Sequence, residues 1–504
     1  MLDSDVAKWF SGKNILITGS TGYMGKVMVE KLLRCCPGIS KIYLLIRTKK
    51  GKTPTQRIDD FLKGPVFHKI RNQPEVFSKL ECISGDLTME NLSLSSRDEK
   101  NLRENVEVVF HMAANVRFDQ TLKNALILNT LGTKRVLDLA CTFENLKAFV
   151  HVSTTYCHCD LTVLEEKTYP APHDPRKLID IAGWIDEKLL ELMTPHLIKN
   201  SPNTYAYTKC LAEHLVSEYS ELLPIAIARP AAVTAAWKEP LPGWVDNLNG
   251  PTGILVGAGK GVIRSMHCNA EYKADIIPVD CTTNSIILVG YHLGSNPRTD
   301  IQVFNITNDK DKRISWGGAL NLGKKHFYDN PFSVCLWYPD GSIKSSYFVH
   351  MLAAFFFHLI PAYFIDFVMV LTGNKPFMVK VHKRIKKGLE VLQYYTTRPW
   401  LFRNEKMRAL NVSLNETDRE MFYVVGPDDY DQYILDYILG ARRFCLHEEP
   451  DTIPHAKKVL KRLYYLDVCK NILLGCLGFW LFGGYIIQFL FKFRSFSDLI
   501  YVLK

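Results

Sequence analysis

Residues 13–26 read KNILITGSTGYMGK. The apolar run Ile15, Leu16, Ile17 breaks into Thr18-Gly19-Ser20-Thr21-Gly22-Tyr23-Met24-Gly25, and helix-forming residues follow. A strand that runs through G-x-x-G-x-x-G into a helix brings unpaired backbone N–H groups and a helix N-terminus to one point, where a pyrophosphate binds. The glycines permit the tight turn and the close approach of backbone to phosphate. The spacing alone is weak; its place after a first strand and before a helix makes it a dinucleotide site.

Working outward, residues 13 to about 290 alternate short β-rich runs with amphipathic stretches. Strands are expected at 14–18, 41–47, 80–84, 106–111, 148–153 and 224–228, with helical patterns such as GKVMVEKLLRCC between them. That alternation predicts a Rossmann-type, doubly wound parallel sheet, an α/β fold. The end of the second strand selects the dinucleotide. An acid there would hydrogen-bond a ribose 2′-hydroxyl and favour NAD. The chain instead reads IYLLIRTKKGK over 42–52, so Arg47, Lys49 and Lys50 stand in that place and a 2′-phosphate, hence NADPH, is expected. An ordinary solvated basic loop would look the same.

Chemistry is expected from NTYAYTKCLAEHL, residues 203–215. Tyr205 and Lys209 lie four apart on a helical pattern, so they share a face, and an ammonium beside a phenol is expected to lower the tyrosine pKa. Tyr205 then delivers a proton to an oxygen as hydride reaches its carbon. Upstream, VHVSTTYCH ends a strand with Ser153 and Thr154, and a hydroxyl there stabilises a developing oxyanion. Thr154 is preferred and Ser153 is the alternative. One of the two is expected merely to bond local backbone.

The thirteen cysteines show no repeated C-x-x-C pairing, and Cys157-His158-Cys159 is too cramped for zinc without further ligands, so free thiols and no metal are expected. The net charge of +10 is spread along the chain and gathers near the C-terminal apolar segment, which points to anionic lipid or substrate rather than nucleic acid. The N-terminus carries early acids and no long apolar run, unlike a secretory signal.

Residues 472–491, ILLGCLGFWLFGGYIIQFLF, hold no formal charge and as a helix would be about 30 Å long, a bilayer's hydrocarbon thickness. The heavier basic flank precedes them, which predicts a single-pass anchor with the bulk of the chain cytosolic. A second apolar stretch, 347–371, contains His350, His358, Pro361 and Asp366 and is expected to be a buried or interfacial helical pair rather than a span.

These stretches together, with ISGDLT, VFHMAANVRFD, ARPAAV, EPLPGWVDN and the late YDQYILDYILGARRFCL, resemble the fatty acyl-CoA reductases, extended short-chain dehydrogenases/reductases with a helical C-terminal domain. The resemblance covers nearly the whole chain. It implies an NADPH-binding reductase domain over 1–290, a substrate-side linker over 291–345, a helical domain over 346–450 and the span at 472–491.

The resemblance also implies a cofactor set of Thr18, Gly19, Thr21, Gly22, Tyr23, Gly25, Arg47, Asp86, Leu87, Ala113, Asn129 and Lys209. Tyr205, Lys209, Thr154 and Ser153 would be the catalytic groups, and long-chain acyl-CoA the substrate, reduced by two NADPH to a primary alcohol and CoA. Two departures stand out: Ala231 replaces the family's usual serine after Arg-Pro, and Tyr430 replaces a usual tryptophan. The acyl tail is expected to lie in an apolar groove lined or covered by 355–367, FFFHLIPAYFIDF, and the following helices. The rivals are a membrane-anchored reductase of a sterol or nucleotide sugar, and a non-catalytic NADP(H)-binding scaffold. Endoplasmic reticulum and peroxisome both suit a C-terminal anchor, and oligomeric state is not legible.

Overall fold

The computed structural model describes residues 3–49, 51–296 and 300–492. Seven strands form one sheet: β1 (Asn14–Thr18), β2 (Lys41–Ile46), β3 (Leu80–Ser84), β4 (Val108–His111), β5 (Ala148–Val152), β6 (Ile225–Pro230) and β7 (Gln302–Ile306). Their order is β7-β6-β5-β4-β1-β2-β3, and each adjacent pair is parallel. The order reverses beside β1, so the loops after β1 and β4 open a crevice at the strands' C-terminal ends, where such sheets bind ligands.

The sheet is covered on both faces, which is why its central strands read as continuous apolar runs. On one face Ile15, Ile17, Ile42 and Phe110 pack beneath α1 (Tyr23–Cys35) and α4 (Val279–Ser295). On the other, Leu16, Leu45, Val109 and Phe149 meet α2 (Gly132–Ala140) and α3 (Thr204–Glu218). The doubly wound architecture is as expected from the sequence. Strand β7 lies beyond residue 290, in the stretch read as linker, because the isolated segment QVFNI shows no alternation with a following helix to mark it.

The C-terminal part is helical and not a separate lobe. Met407, Leu410, Leu414 and Phe422 are buried in the same core as β1 and α1. At the chain's start, the Ser4 hydroxyl and the Asp5 backbone N–H donate to the Asp418 carboxylate at 2.5 and 2.9 Å. A two-residue parallel pairing, Val163–Leu164 with Leu401–Phe402, ties this part to the region beside α3.

Residues 347–371 form a helix with one wide turn, α5 (Tyr347–Ala354), a π turn at Phe355–Leu359 and α6 (Ile360–Leu371), followed by α7 (Met378–Thr396). The segment is not buried: Phe348, Phe364 and Phe367 are 64, 65 and 60 % exposed. Among the described residues it is the one helix long and apolar enough to cross a membrane, by length and composition alone. The expected span 472–491 falls in the last helix, α8 (Ile453–Lys492), with the apolar side chains of Ile472, Leu473, Phe479 and Trp480 exposed. The side chains of 482–483 and 485–492 lie outside the described residues.

Candidate active site

The glycine turn is shaped first by the protein's own backbone. Gly19 has φ +77°, and a Cβ there would sit 2.8 Å from the Ala113 nitrogen at the end of β4. A Cβ on Gly25 would sit 2.4 Å from the Gly19 carbonyl oxygen. These two glycines let the turn, α1 and β4 close on one another. Gly22 is exposed and stands at the N-cap of α1 with no side-chain cap, so the first N–H groups of that helix are left for a ligand.

Thr18 and Tyr23, expected at the cofactor, turn elsewhere. The Thr18 hydroxyl, fully buried, bonds His111 Nδ1 at 2.8 Å and accepts from the Ala113 N–H at 3.3 Å, joining β1 to β4. The Tyr23 ring stacks on Trp244 and its hydroxyl donates to the Thr234 carbonyl at 2.8 Å. Only its backbone N–H, the first of α1, remains available.

Arg47, expected as the last residue of the second strand, directly follows β2 and lies 3.7 Å from Asp86, whose carboxylate also accepts from the N–H and hydroxyl of Thr88. Lys50 lies outside the described residues. A residue missed in the sequence joins them. Arg57, on the helix Pro54–Leu62, donates to the Arg47 carbonyl at 2.5 Å and to the Thr21 hydroxyl at 2.8 Å. Burial and the neighbouring Arg47 charge both push its pKa down. Two guanidiniums held together at the rim of a glycine turn form an anion site. Well beyond the strand end, Arg57 carries no motif, and only Pro54 and the capping box of Thr53 and Gln56 mark its helix. The donor set therefore fits the phosphates of a dinucleotide.

Leu87 is buried against Gly132, and Ala113 is half-buried beside the turn. Asn129 sits on a π turn, Leu126–Leu131. Its amide accepts from the Asn115 N–H at 2.8 Å and donates to the Thr208 hydroxyl at 3.0 Å, so it fixes the loop after β4 to α3. Such single wide turns recur at functional sites.

Helix α3 carries the expected Tyr205 and Lys209 pair. Asn203 caps it, accepting from the Ala206 N–H at 2.9 Å. Tyr205, in the first turn, is half-buried, and the hydroxyl of Thr154, which follows β5, lies beside its phenol. Thr154 also accepts from the Tyr156 N–H at 3.2 Å. The Ser153 hydroxyl is buried with no partner among the described residues.

Lys209, 2 % exposed, donates to the Val152 carbonyl at 2.7 Å and to His151 Nε2 at 3.3 Å. Burial pushes Lys209 down to about 8, with Glu213 one turn further pulling the other way. The expected lowering of the tyrosine pKa is not found. Burial raises Tyr205, because Lys209 turns to the strand end and the imidazole rather than to the phenol. A neutral phenol is a proton donor.

Aromatic rings wall the site. Phe118 lies 5.8 Å from Tyr205 and 6.2 Å from Tyr395, and the Tyr395 hydroxyl accepts from Asn203 at 2.8 Å. Tyr395 ends α7, so the C-terminal part reaches the reacting helix. The rings of Phe355–Phe357 are 41–56 % exposed, and the ring contacts beside Tyr205 come from Phe118 and, through it, Tyr395 on α7.

Behind the site, Cys157, His158 and Glu213 place donor atoms within 4.8 Å of one another, a set a cation could use. Arg229 takes both oxygens of Glu213, at 2.8 and 2.6 Å, and already supplies the positive charge there.

A parallel sheet with a glycine turn after β1 and a Tyr/Lys pair on the helix after β5 defines an extended short-chain dehydrogenase/reductase. Two family models match, both described as male sterility protein: an NAD-binding model over residues 17–286 and the Sterile model over 357–448. Fatty acyl-CoA reductase 1 of Homo sapiens is 36 % identical, covering 93 % of this chain and 92 % of its own. Fatty acyl-CoA reductase 2 of Bos taurus is 35 % identical, covering 98 % of each. The chain belongs to the fatty acyl-CoA reductase family. Among solved structures, the reductase domain of a nonribosomal peptide synthetase from Mycobacterium tuberculosis shares the fold, with TM-score 0.58, 16 % identity and coverage of 88 % of this chain and 96 % of that one. So does the terminal reductase domain of the myxalamid pathway, with TM-score 0.55, 18 % identity and coverage of 86 and 92 %.

Proposed function

We propose that the chain is an alcohol-forming fatty acyl-CoA reductase specific for NADPH, converting a long-chain acyl-CoA, two NADPH and two protons to a primary alcohol, CoA and two NADP⁺. The observation that carries this reading is the half-buried Tyr205 phenol beside Thr154, one turn from the buried Lys209 on the same helix. The dinucleotide, held by Gly22, the N-terminus of α1, Arg47 and Arg57, would supply hydride to a carbonyl carbon.

The chain's own contribution is to hold and move protons. As a thioester carbonyl becomes tetrahedral, Thr154 and Tyr205 face its oxygen, and Tyr205 gives up its proton there. The hemithioacetal so formed loses CoA thiolate to give an aldehyde. The same phenol, reprotonated, serves the aldehyde's reduction. Lys209 keeps positive charge beneath the site, offsetting the phenolate left after each transfer. Phe118, Tyr395 and Tyr156 exclude water and offer apolar surface to the acyl chain; burying roughly ten methylenes contributes about 8 kcal/mol. A C-terminal helical anchor, with the reductase part in the cytosol at the endoplasmic reticulum or peroxisome, suits a substrate and product that partition into lipid.

The test is Tyr205→Phe, assayed with NADPH and a panel of acyl-CoAs with alcohols identified by mass. Turnover should fall by about 10²–10⁴ while NADPH affinity is retained. Near-normal turnover would remove Tyr205 from the mechanism.

A further inference from the structure

The helix over 347–371 is inside out. Its polar residues face the protein: His358 Nε2 accepts from the Arg264 and Ser265 N–H groups at 2.9 and 3.2 Å, and His350 Nδ1 bonds the Ser265 hydroxyl at 2.9 Å. Its aromatic rings face out, with Phe356, Tyr363, Phe364 and Phe367 between 56 and 65 % exposed. A core helix would show the opposite pattern.

Helix α7 runs back along it. The Asp366 carboxylate accepts from the N–H groups of Phe377, Met378 and Val379, at 2.9, 2.7 and 2.9 Å, and His358 meets His382 with ring centroids 5.9 Å apart. The pairing is therefore antiparallel, and it sets Lys380, Lys383, Arg384, Lys386 and Lys387 beside the middle of the apolar segment. Residues 347–396 hold six basic side chains against two acids, Asp366 and Glu390. Lys386 approaches Glu390 at 3.7 Å, whereas Lys380, Lys383 and Arg384 have no acidic partner among the described residues.

We propose that this helical hairpin does not cross the bilayer but lies on it as an interfacial docking surface for anionic phospholipid, with the outward rings in the acyl boundary and the α7 cations among the headgroup phosphates. A span would draw five cations of the packed partner helix into hydrocarbon. A second copy of the chain as the occupant would set like charges against each other. Aromatic rings beside a basic stripe are the composition of a monotopic membrane contact. The far end of α7 is Tyr395, beside Tyr205, so the surface that meets lipid is continuous with the wall of the active site. The inference rests on the hairpin's own geometry and holds whether or not the reductase reading does.

The test uses the full chain in sealed vesicles of phosphatidylcholine, with or without about 30 % phosphatidylserine, carrying a photoactivatable acyl-chain phosphatidylcholine. Crosslinks are mapped by mass spectrometry, and a membrane-impermeant amine reagent is applied from the side on which Lys52 reacts. Adducts are expected over 355–371, rising several-fold with phosphatidylserine, with Lys380 and Lys383 labelled alongside Lys52. Adducts on α8 are expected in either case and are not scored. The triple variant Lys380→Glu, Lys383→Glu, Arg384→Glu should cut the hairpin adducts about fivefold while detergent-presented activity stays within about twofold. Should that variant fail to fold, Phe364→Ser with Phe367→Ser replaces it, with the same expected loss. Lysines shielded while Lys52 reacts would mean a span and overturn the proposal. So would the absence of hairpin adducts, or hairpin protection in detergent that depends on protein concentration, which would mean a second copy.

Discussion

In the proposed mechanism the Tyr205 phenol, whose pKa desolvation raises, and Lys209, pushed down to about 8, divide the work of acid and fixed charge between two side chains of one helix face. This predicts an alkaline limb. Because the ammonium form is the active one, kcat should fall as pH rises through about 8, measured from pH 6 to 10 with saturating substrates. Stability moves the other way. Between about 8 and 10.5 the unfolded chain binds the Lys209 proton and the folded chain does not, so this group's contribution to folding grows with pH in that window. At the rim, if Arg57 holds the 2′-phosphate as proposed, Arg57→Ala should raise the KM for NADPH about 10- to 100-fold and leave that for NADH nearly unchanged.

At the scale of elements, the first turn of helix α3 is positioned by its cap. Asn203 caps it and also donates to Tyr395 on α7. Asn203→Ala should cost about 1 kcal/mol in a denaturant melt and lower kcat more than it changes KM, because Tyr205 loses its fixed backbone and its aromatic wall together. Elements were legible where one pattern sufficed. The glycine turn, six of the seven strands and the Tyr/Lys helix each have a spacing of their own. What was hidden depends on neighbours. Arg57 reaches the glycine turn only because its helix folds back on Arg47 and Thr21. Thr18 and Tyr23 sit inside the motif, yet the adjoining strand and Trp244 claim their side chains. Hydropathy marked 347–371 as apolar, but which face turns outward is set by Arg264 and Ser265, far away in sequence.

Across the whole molecule, the C-terminal part completes the core of the reductase part. Phe422 is fully buried with β1 and α1, and Asp418 holds the first helix of the chain through Ser4 and Asp5. Phe422→Ala should therefore destabilise the protein by about 3–5 kcal/mol, read by denaturant unfolding, and lower NADPH binding with it although it lies in the other family model's range. The same integration joins the hairpin proposed to meet lipid, α7, Tyr395 and Tyr205 in one path, which would suit an acyl chain that leaves a membrane to be reduced.

The measurement that bears most directly on the central claim is the ratio of NADPH oxidised to CoA thiol released during turnover of a long-chain acyl-CoA, followed in the same sample with product identity by mass. The account predicts two NADPH per thiol, with primary alcohol as product and both signals lost together in Tyr205→Phe. One NADPH per thiol with accumulating aldehyde, or NADPH oxidation without any thiol, would contradict it.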